Sequence, residues 1–180
     1  MNNTVVVYKS KYGSTKKYAE WIAEELGSDI IENKSIKVDS LSKYDTIIYG
    51  GGLYAGGING VSLITDNFNQ FQDKKLIIFT CGLADTDSEE NIKGIHNIID
   101  KVFTKEMKEK VKFFHLRGGM DYSKLTIVHK LMMGMLKKAV SKKSPEELKE
   151  EDREMLETYG KKVDFTDKNS IKPLIDYIRE

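Results

Sequence analysis

Seven consecutive residues, Lys9-Ser10-Lys11-Tyr12-Gly13-Ser14-Thr15, stand between a short β-branched run and a helical pattern, with the makeup of an anion site. Backbone N–H groups and the hydroxyls of Ser10, Ser14 and Thr15 can donate to phosphate oxygens, and a following helix N-terminus adds positive potential. The plain alternative is a well-capped helix after an ordinary turn. Two further segments leave strand-like runs. Gly50-Gly51-Gly52-Leu53-Tyr54-Ala55-Gly56-Gly57 would let the backbone approach a flat ligand, with Tyr54 able to stack on its ring. It could equally be a flexible loop with a surface tyrosine. Thr80-Cys81-Gly82-Leu83-Ala84-Asp85-Thr86-Asp87 offers backbone groups to a ring edge, a weak signal alone.

Other phosphate chemistries fit poorly. The GxxxxGK[ST] pattern of ATP and GTP loops is absent. The dinucleotide pattern GxGxxG should follow the first strand, where one glycine stands; Gly50-Gly51-Gly52 follows a later strand with the wrong spacing. A mononucleotide fits better. Cys81 is the sole cysteine, which excludes an intramolecular disulfide and a cysteine-built metal cage and suits a reducing cytoplasm. His96, His115 and His129 are isolated and read as packing or surface residues. No catalytic residue and no metal site is assigned.

The elements that must position these segments alternate in type. Short apolar runs at Thr4–Tyr8, Thr46–Tyr49, Lys75–Thr80 and Val111–Leu116, with a weaker one at Asp29–Glu32, read as strands buried on both faces. Between them Tyr18, Trp21, Ile22 and Leu26 stripe one helix that Gly27 ends; Val61, Ile64 and Phe68 stripe a second; Ile92, Ile95, Ile99 and Val102 a third after Ser88. Ile171, Leu174, Ile175 and Ile178 mark a last helix. The order predicts an α/β, doubly wound five-stranded parallel sheet with right-handed crossovers. At 180 residues the chain reads as a single domain, 1–180.

A formal charge of +1 gives no general pull toward nucleic acid. The first apolar run, Val5–Tyr8, is far too short for a secretory leader, and no stretch reaches the roughly 18 apolar residues of a spanning helix.

Residues 117–163 form a helical insertion between the last strand and the last helix, where a loop of roughly 2–6 residues would serve. From Arg117 to Lys143 seven Lys or Arg face Asp121 alone. There Leu125, Val128, Met132, Leu136 and Ala139 make an apolar stripe, widened by Ile127, Leu131 and Met135, with Thr126, Lys130, Gly134 and Lys137 opposite. A basic, methionine-rich amphipathic helix over 124–140 can lie peripherally on an anionic membrane or grip a flexible partner, unless it packs on its own domain. Ser144, Pro145 and Glu147 then predict a capped helix start.

Three pieces of sequence, the strand leading into SKYGST, then YDTIIYGGGLYAG, then LIIFTCGLAD, resemble the flavodoxin superfamily over roughly residues 3–116 and 169–180. The resemblance implies a sheet of order 2-1-3-4-5 and an FMN cofactor. Carried over, Ser10, Lys11, Tyr12, Gly13, Ser14 and Thr15 would hold the phosphate. Gly52, Leu53, Tyr54 and Ala55 would line one side of the isoalloxazine ring, and Cys81, Gly82 and Leu83 an edge. The second aromatic common in the third flavodoxin loop is missing between Thr80 and Glu90, which leaves one ring face open or covered by the insertion, with Tyr122 as a candidate. The insertion, through GGMDYSKLTIVHKLMMGMLKK, is similar to the branch of menaquinone-dependent protoporphyrinogen oxidases. That branch implies a cytoplasmic FMN oxidoreductase at the inner face of the membrane, with a small molecule, quinone or protein as redox partner. A soluble flavodoxin-type electron carrier and an FMN-free scaffold are the alternatives.

Overall fold

The computed structural model describes all residues except 1, 2, 35 and 55, so Ala55 of the second segment lies outside the described residues. In chain order the elements are β1 (Thr4–Lys9), α1 (Ser14–Leu26), β2 (Asp29–Glu32), β3 (Thr46–Tyr54), β4 (Gly57–Ile58), α2 (Ser62–Thr65), β5 (Lys75–Gly82), α3 (Glu89–Val102), α4 (Lys105–Lys110) and β6 (Val111–Arg117). They continue with β7 (Gly119–Asp121), α5 (Ile127–Val140), α6 (Glu150–Thr158), β8 (Lys162–Asp164) and α7 (Lys172–Arg179).

The main sheet runs β2-β1-β3-β5-β6 with every neighbour parallel, which is the expected order 2-1-3-4-5. The short β4 turns back antiparallel on the end of β3. Alternating side chains divide the core between two faces. Val6, Ile48, Ile77 and Phe79 meet Tyr18 and Ile22 of α1 and Leu174 and Ile175 of α7. Val5, Val7, Ile47 and Ile78 meet Ile64, Phe68, Ile95 and Ile99 on the other side. The helix ends follow the predicted signals. Gly27 closes α1 at φ 61, and the Ser88 hydroxyl caps α3 by accepting from the Asn91 amide at 3.4 Å.

Three expectations are corrected. The second helical stripe breaks after one turn into a 3₁₀ segment at Phe68–Phe71, because the Asn67 side-chain amide donates to Leu63 O and competes with the helical ladder. The glycine-rich segment is no loop through Tyr54: β3 continues to that residue, with Gly50, Gly51 and Gly52 paired to Phe79, Thr80 and Cys81. Finally, Ser144 and Glu147 do bond through the Glu147 carboxylate, at 2.9 and 3.1 Å, but as an isolated turn. Helix α6 starts at Glu150, where Asp152 accepts from the Lys149 amide at 3.1 Å while holding Lys143 at 2.6 Å.

Beyond β6 the chain leaves and re-enters through one small antiparallel pair, β7 with β8. The Phe165 amide donates to Gly118 O at 3.2 Å where the segment closes. This brings its base to the carboxyl ends of β1, β3 and β5, the crevice where ligands bind in open α/β sheets.

Candidate functional site

The β1–α1 turn is shaped as an anion cradle. Gly13 sits at φ 103, a conformation that other L-residues rarely adopt, and its amide donates to Ser10 Oγ at 3.0 Å. No side chain caps α1, so its first-turn amides are left to an incoming acceptor. Ser14 Oγ accepts from the Gly119 amide at 3.0 Å. Thr15 is buried, and its hydroxyl hydrogen-bonds to Cys81. Beside the turn Lys17 reaches Thr166 Oγ1 at 2.6 Å and Asp164 at 3.2 Å, and Lys124 and Lys162 line the same cavity.

The glycines of β3 serve packing as well as access. A Cβ on Gly50 would lie 2.1 Å from the Phe79 ring, and one on Gly51 would lie 2.5 Å from Ile58. Gly52 lines none of the cavities of the crevice; the Tyr54 ring folds over it, 2.5 Å from where a Cβ would stand. Burial pushes the Tyr54 phenol up to about 12.

The third segment is held from below. Arg117 at the end of β6 donates to Leu83 O at 3.2 Å, pairs with Asp85 at 2.6 Å and reaches Glu154 of α6 at 3.1 Å, its guanidinium 4.1 Å from the Phe165 ring centroid. One cation thus fixes the loop after β5 against α6. Cys81 is buried with its thiol pushed up to about 12 by desolvation, so it acts as an apolar wall rather than a nucleophile. Gly118 allows the closest approach: its amide donates to Gly82 O at 2.6 Å, and a Cβ there would lie 2.8 Å from Cys81 Sγ.

These segments converge. Tyr12, Ser14, Thr15, Leu53, Tyr54, Cys81, Gly82 and Leu83 line one narrow cavity of about 80 Å³ together with Gly118, Gly119 and Met120. It adjoins the basic cavity of about 270 Å³ beside Gly13 and Lys17, and an apolar one of about 160 Å³ under α5. Tyr12 lines all three. Ser10 shapes the cradle from outside these cavities, and Lys11 turns away toward α5.

Residues outside the three segments complete the site. Met120, Leu125, His129, Met132 and Met133 line the apolar cavity. His129 is not isolated: its ring stands 2.6 Å from Tyr12 Oη and 3.3 Å from Lys11 Nζ. Nor are the other two histidines, whose rings meet at 5.6 Å, with His115 Nδ1 2.8 Å from Thr80 Oγ1. Tyr122 is buried against Tyr159 at 5.1 Å and lines none of these cavities, whereas Met120 and His129 line the one under α5. The Gly118-Gly119 pair directly after the last strand was a readable signal of close approach; nothing local marks His129.

The donor set suits a phosphorylated flat ring: open amides and hydroxyls at the α1 start, apolar and aromatic walls beyond. Among the described residues no group of three or more His, Cys, Asp or Glu could hold a metal ion.

The chain is similar to several known proteins. An uncharacterized protein of Methanocaldococcus jannaschii is 27% identical over 110 residues, covering 60% of this chain and 65% of that protein's length. A WrbA-like flavodoxin from Agrobacterium tumefaciens is 26% identical, with a TM-score of 0.43, over 54% of this chain and 74% of its own. A flavoprotein from Lactobacillus acidophilus NCFM, solved in complex with FMN, is 15% identical, with a TM-score of 0.42, over 65% of this chain and 93% of its own. The family profile described as flavodoxin domain matches residues 5–147, from the first strand through the end of α5 and past the Ser144 turn, and the chain belongs to that family.

Proposed function

We propose that the chain is an FMN-binding oxidoreductase working at the surface of an anionic membrane. The observation that carries the cofactor reading is the continuity of the uncapped α1 start with the aromatic and glycine-walled cavity. In this reading Ser10, Gly13 and Ser14, with the first amides of α1, hold the phosphate. Tyr12 flanks it while Lys11 reaches α5, Thr15 supports Cys81, and Leu53, Tyr54, Cys81, Gly82 and Leu83 border the ring. Bound FMN would supply one- and two-electron chemistry, while the protein sets its position and surroundings.

The membrane part rests on α5. Ile127, Val128, Leu131, Met132, Met135 and Leu136 are exposed, whereas Leu125 and Val140 anchor the two ends. Part of the opposite side meets the protein: Gly134 stands next to Tyr159 Oη, and Lys137, itself exposed, lies 4.3 Å from the Tyr159 ring centroid, while Thr126 and Lys130 stay exposed. An outward apolar face with Lys138 at its edge and Lys124 and Lys142 beyond its two ends complements acidic headgroups. No helix among the described residues is long and apolar enough to cross a membrane. The finer reading is a quinone-linked oxidoreductase resembling the menaquinone-dependent protoporphyrinogen oxidases, at the cytoplasmic face.

Titration with FMN and riboflavin tests the cofactor. FMN should bind more tightly, because each charge-assisted hydrogen bond to phosphate contributes about 1.5–3 kcal/mol. Equal affinity for riboflavin overturns the cradle. A protein that takes up no flavin is a scaffold, and one that takes up FMN but sustains no turnover of a quinone is a carrier.

A further inference from the structure

Lys11 and Tyr12, neighbours in the β1–α1 turn, both reach the same imidazole on α5. Lys11 Nζ lies 3.3 Å from His129 Nε2, and Tyr12 Oη lies 2.6 Å from His129 Nδ1. An ammonium has donors only, so Nε2 must offer its lone pair. The neutral ring then carries its proton on Nδ1, which donates to Tyr12 Oη. The phenolic proton of Tyr12 is thereby directed elsewhere. Tyr12 borders all three adjoining cavities, so that proton has the crevice to turn to. Lys11 is exposed, whereas His129 and Tyr12 are half-buried, and the line runs from solvent inward. Edge contacts of the Tyr12 ring with Tyr54 and His129, at 5.9 and 5.7 Å between centroids, hold its direction.

We propose that Lys11, His129 and Tyr12 form a proton relay ending at the Tyr12 hydroxyl, serving a conjugated-ring acceptor that is reduced in the crevice. This rests on the reading that the crevice holds a flavin, whose reduced form would supply the electron pair together with one hydrogen, as hydride. As the pair reaches the acceptor, the Tyr12 O–H bond breaks and its proton passes to an acceptor oxygen or nitrogen. His129 Nδ1 gives its proton to Tyr12 Oη, Lys11 gives one to Nε2, and water reprotonates Lys11. The net cost is one proton from water, and the imidazole is left as its other tautomer until it exchanges with solvent. Tyr12 is the one member that touches the acceptor; His129 and Lys11 are positioning residues acting through it.

The tautomer is measured without cofactor, from the imidazole ¹⁵N shifts of His129 in the full chain. A protonated Nδ1 with a bare Nε2 is expected, and Lys11→Met should move population toward the other tautomer. An Nε2–H ring in the unmodified protein overturns the relay. The second measurement is single-turnover reduction of a water-soluble benzoquinone by the photoreduced, FMN-saturated protein, with FMN affinity recorded for each variant. Tyr12→Phe and His129→Ala should slow it at least about 100-fold, the low end of general-acid contributions, and change the solvent deuterium isotope effect. Added imidazole should rescue His129→Ala, which a purely structural histidine would not allow. Unchanged rate and isotope effect in both variants with FMN bound overturn the relay. Absence of FMN uptake overturns the flavin reading instead, while the tautomer still decides the hydrogen-bonded line.

Discussion

The Gly119 amide donates to the hydroxyl of Ser14 at 3.0 Å, tying the first turn of α1 to the strand that leaves the sheet beyond β6. The cradle is therefore braced by a segment more than a hundred residues away. Gly119 has no room for a side chain: a Cβ would lie 2.5 Å from Val163 O and 2.9 Å from Asp164 Cα, both backbone atoms. Gly119→Ala should destabilise the fold by about 1–3 kcal/mol, since the clash cannot be relieved by a rotamer change. Ser14→Ala, which removes only the hydrogen bond, should cost about 1 kcal/mol. Urea unfolding of the two variants gives the order; a Gly119→Ala protein as stable as the unmodified one would contradict the close packing of β7 on β8.

Arg117 makes four contacts, two of them with the loop after β5, and its two carboxylate partners, Asp85 and Glu154, are each largely covered. Arg117→Met keeps much of the stem packed on Phe165 but leaves two carboxylates facing each other without a cation. The expected loss is about 2–4 kcal/mol, less than for a fully buried pair because water still reaches the site. Adding Asp85→Asn to that variant should recover part of the loss. Thermal melts of the single and double variants check this, and additive losses would show that the carboxylates do not share the arginine.

His115 gives the fold a pH dependence. Burial, and secondarily the neighbouring His96, lowers it from 6.5 to about 4. Between those values the unfolded chain binds a proton that the folded one refuses. Stability from this group is therefore complete above about 6.5 and falls as pH drops toward about 4. The loss is at most about 3 kcal/mol. His115→Gln should flatten the curve across that window. If urea midpoints of both proteins fall in parallel from pH 7 to 4.5, another group is responsible.

How much of this was legible differs from element to element. Val5–Tyr8, Ile47–Tyr49 and Leu76–Phe79 are uninterrupted apolar runs, which only a sheet covered on both faces can bury, so a parallel sheet was legible, while its order came from the flavodoxin resemblance. The crevice was legible because its walls begin where those runs end. Gly50 misled because its reason is Phe79 on the neighbouring strand, a pairing that no local pattern records. His129 was invisible for a similar reason: 117 residues separate it from Tyr12, and only the closure of β7 on β8 brings α5 over the site. The apolar stripe of α5 was read correctly as a stripe, but periodicity says nothing about which side faces outward. Tyr159 packs beside Gly134, and Val128, Met132 and Leu136 of the stripe are exposed while Leu125 is buried.

That outward face supplies the last prediction. Leu131 and Met135 are 64% and 58% exposed, and neither lines the cavity under α5, so they can be altered without touching the crevice. On vesicles rich in anionic lipid the unmodified protein should bind more tightly than on neutral vesicles. Raising salt should weaken that preference as the Debye length falls to about 3 Å at 1 M. Lys138→Glu with Lys142→Glu replaces two attractions of about 1 kcal/mol each by repulsions, and should reduce partitioning by at least about 100-fold at low salt. Leu131→Ser with Met135→Ser should weaken binding at every salt concentration, because the lost contribution is apolar burial of about 1.5–3 kcal/mol per side chain. Both double variants should take up FMN like the unmodified protein, whose phosphate cradle lies at the start of α1. Sedimentation with vesicles separates the two effects. If the unmodified protein stays in solution at low salt, the α5 face is no membrane surface and the soluble carrier becomes the better description.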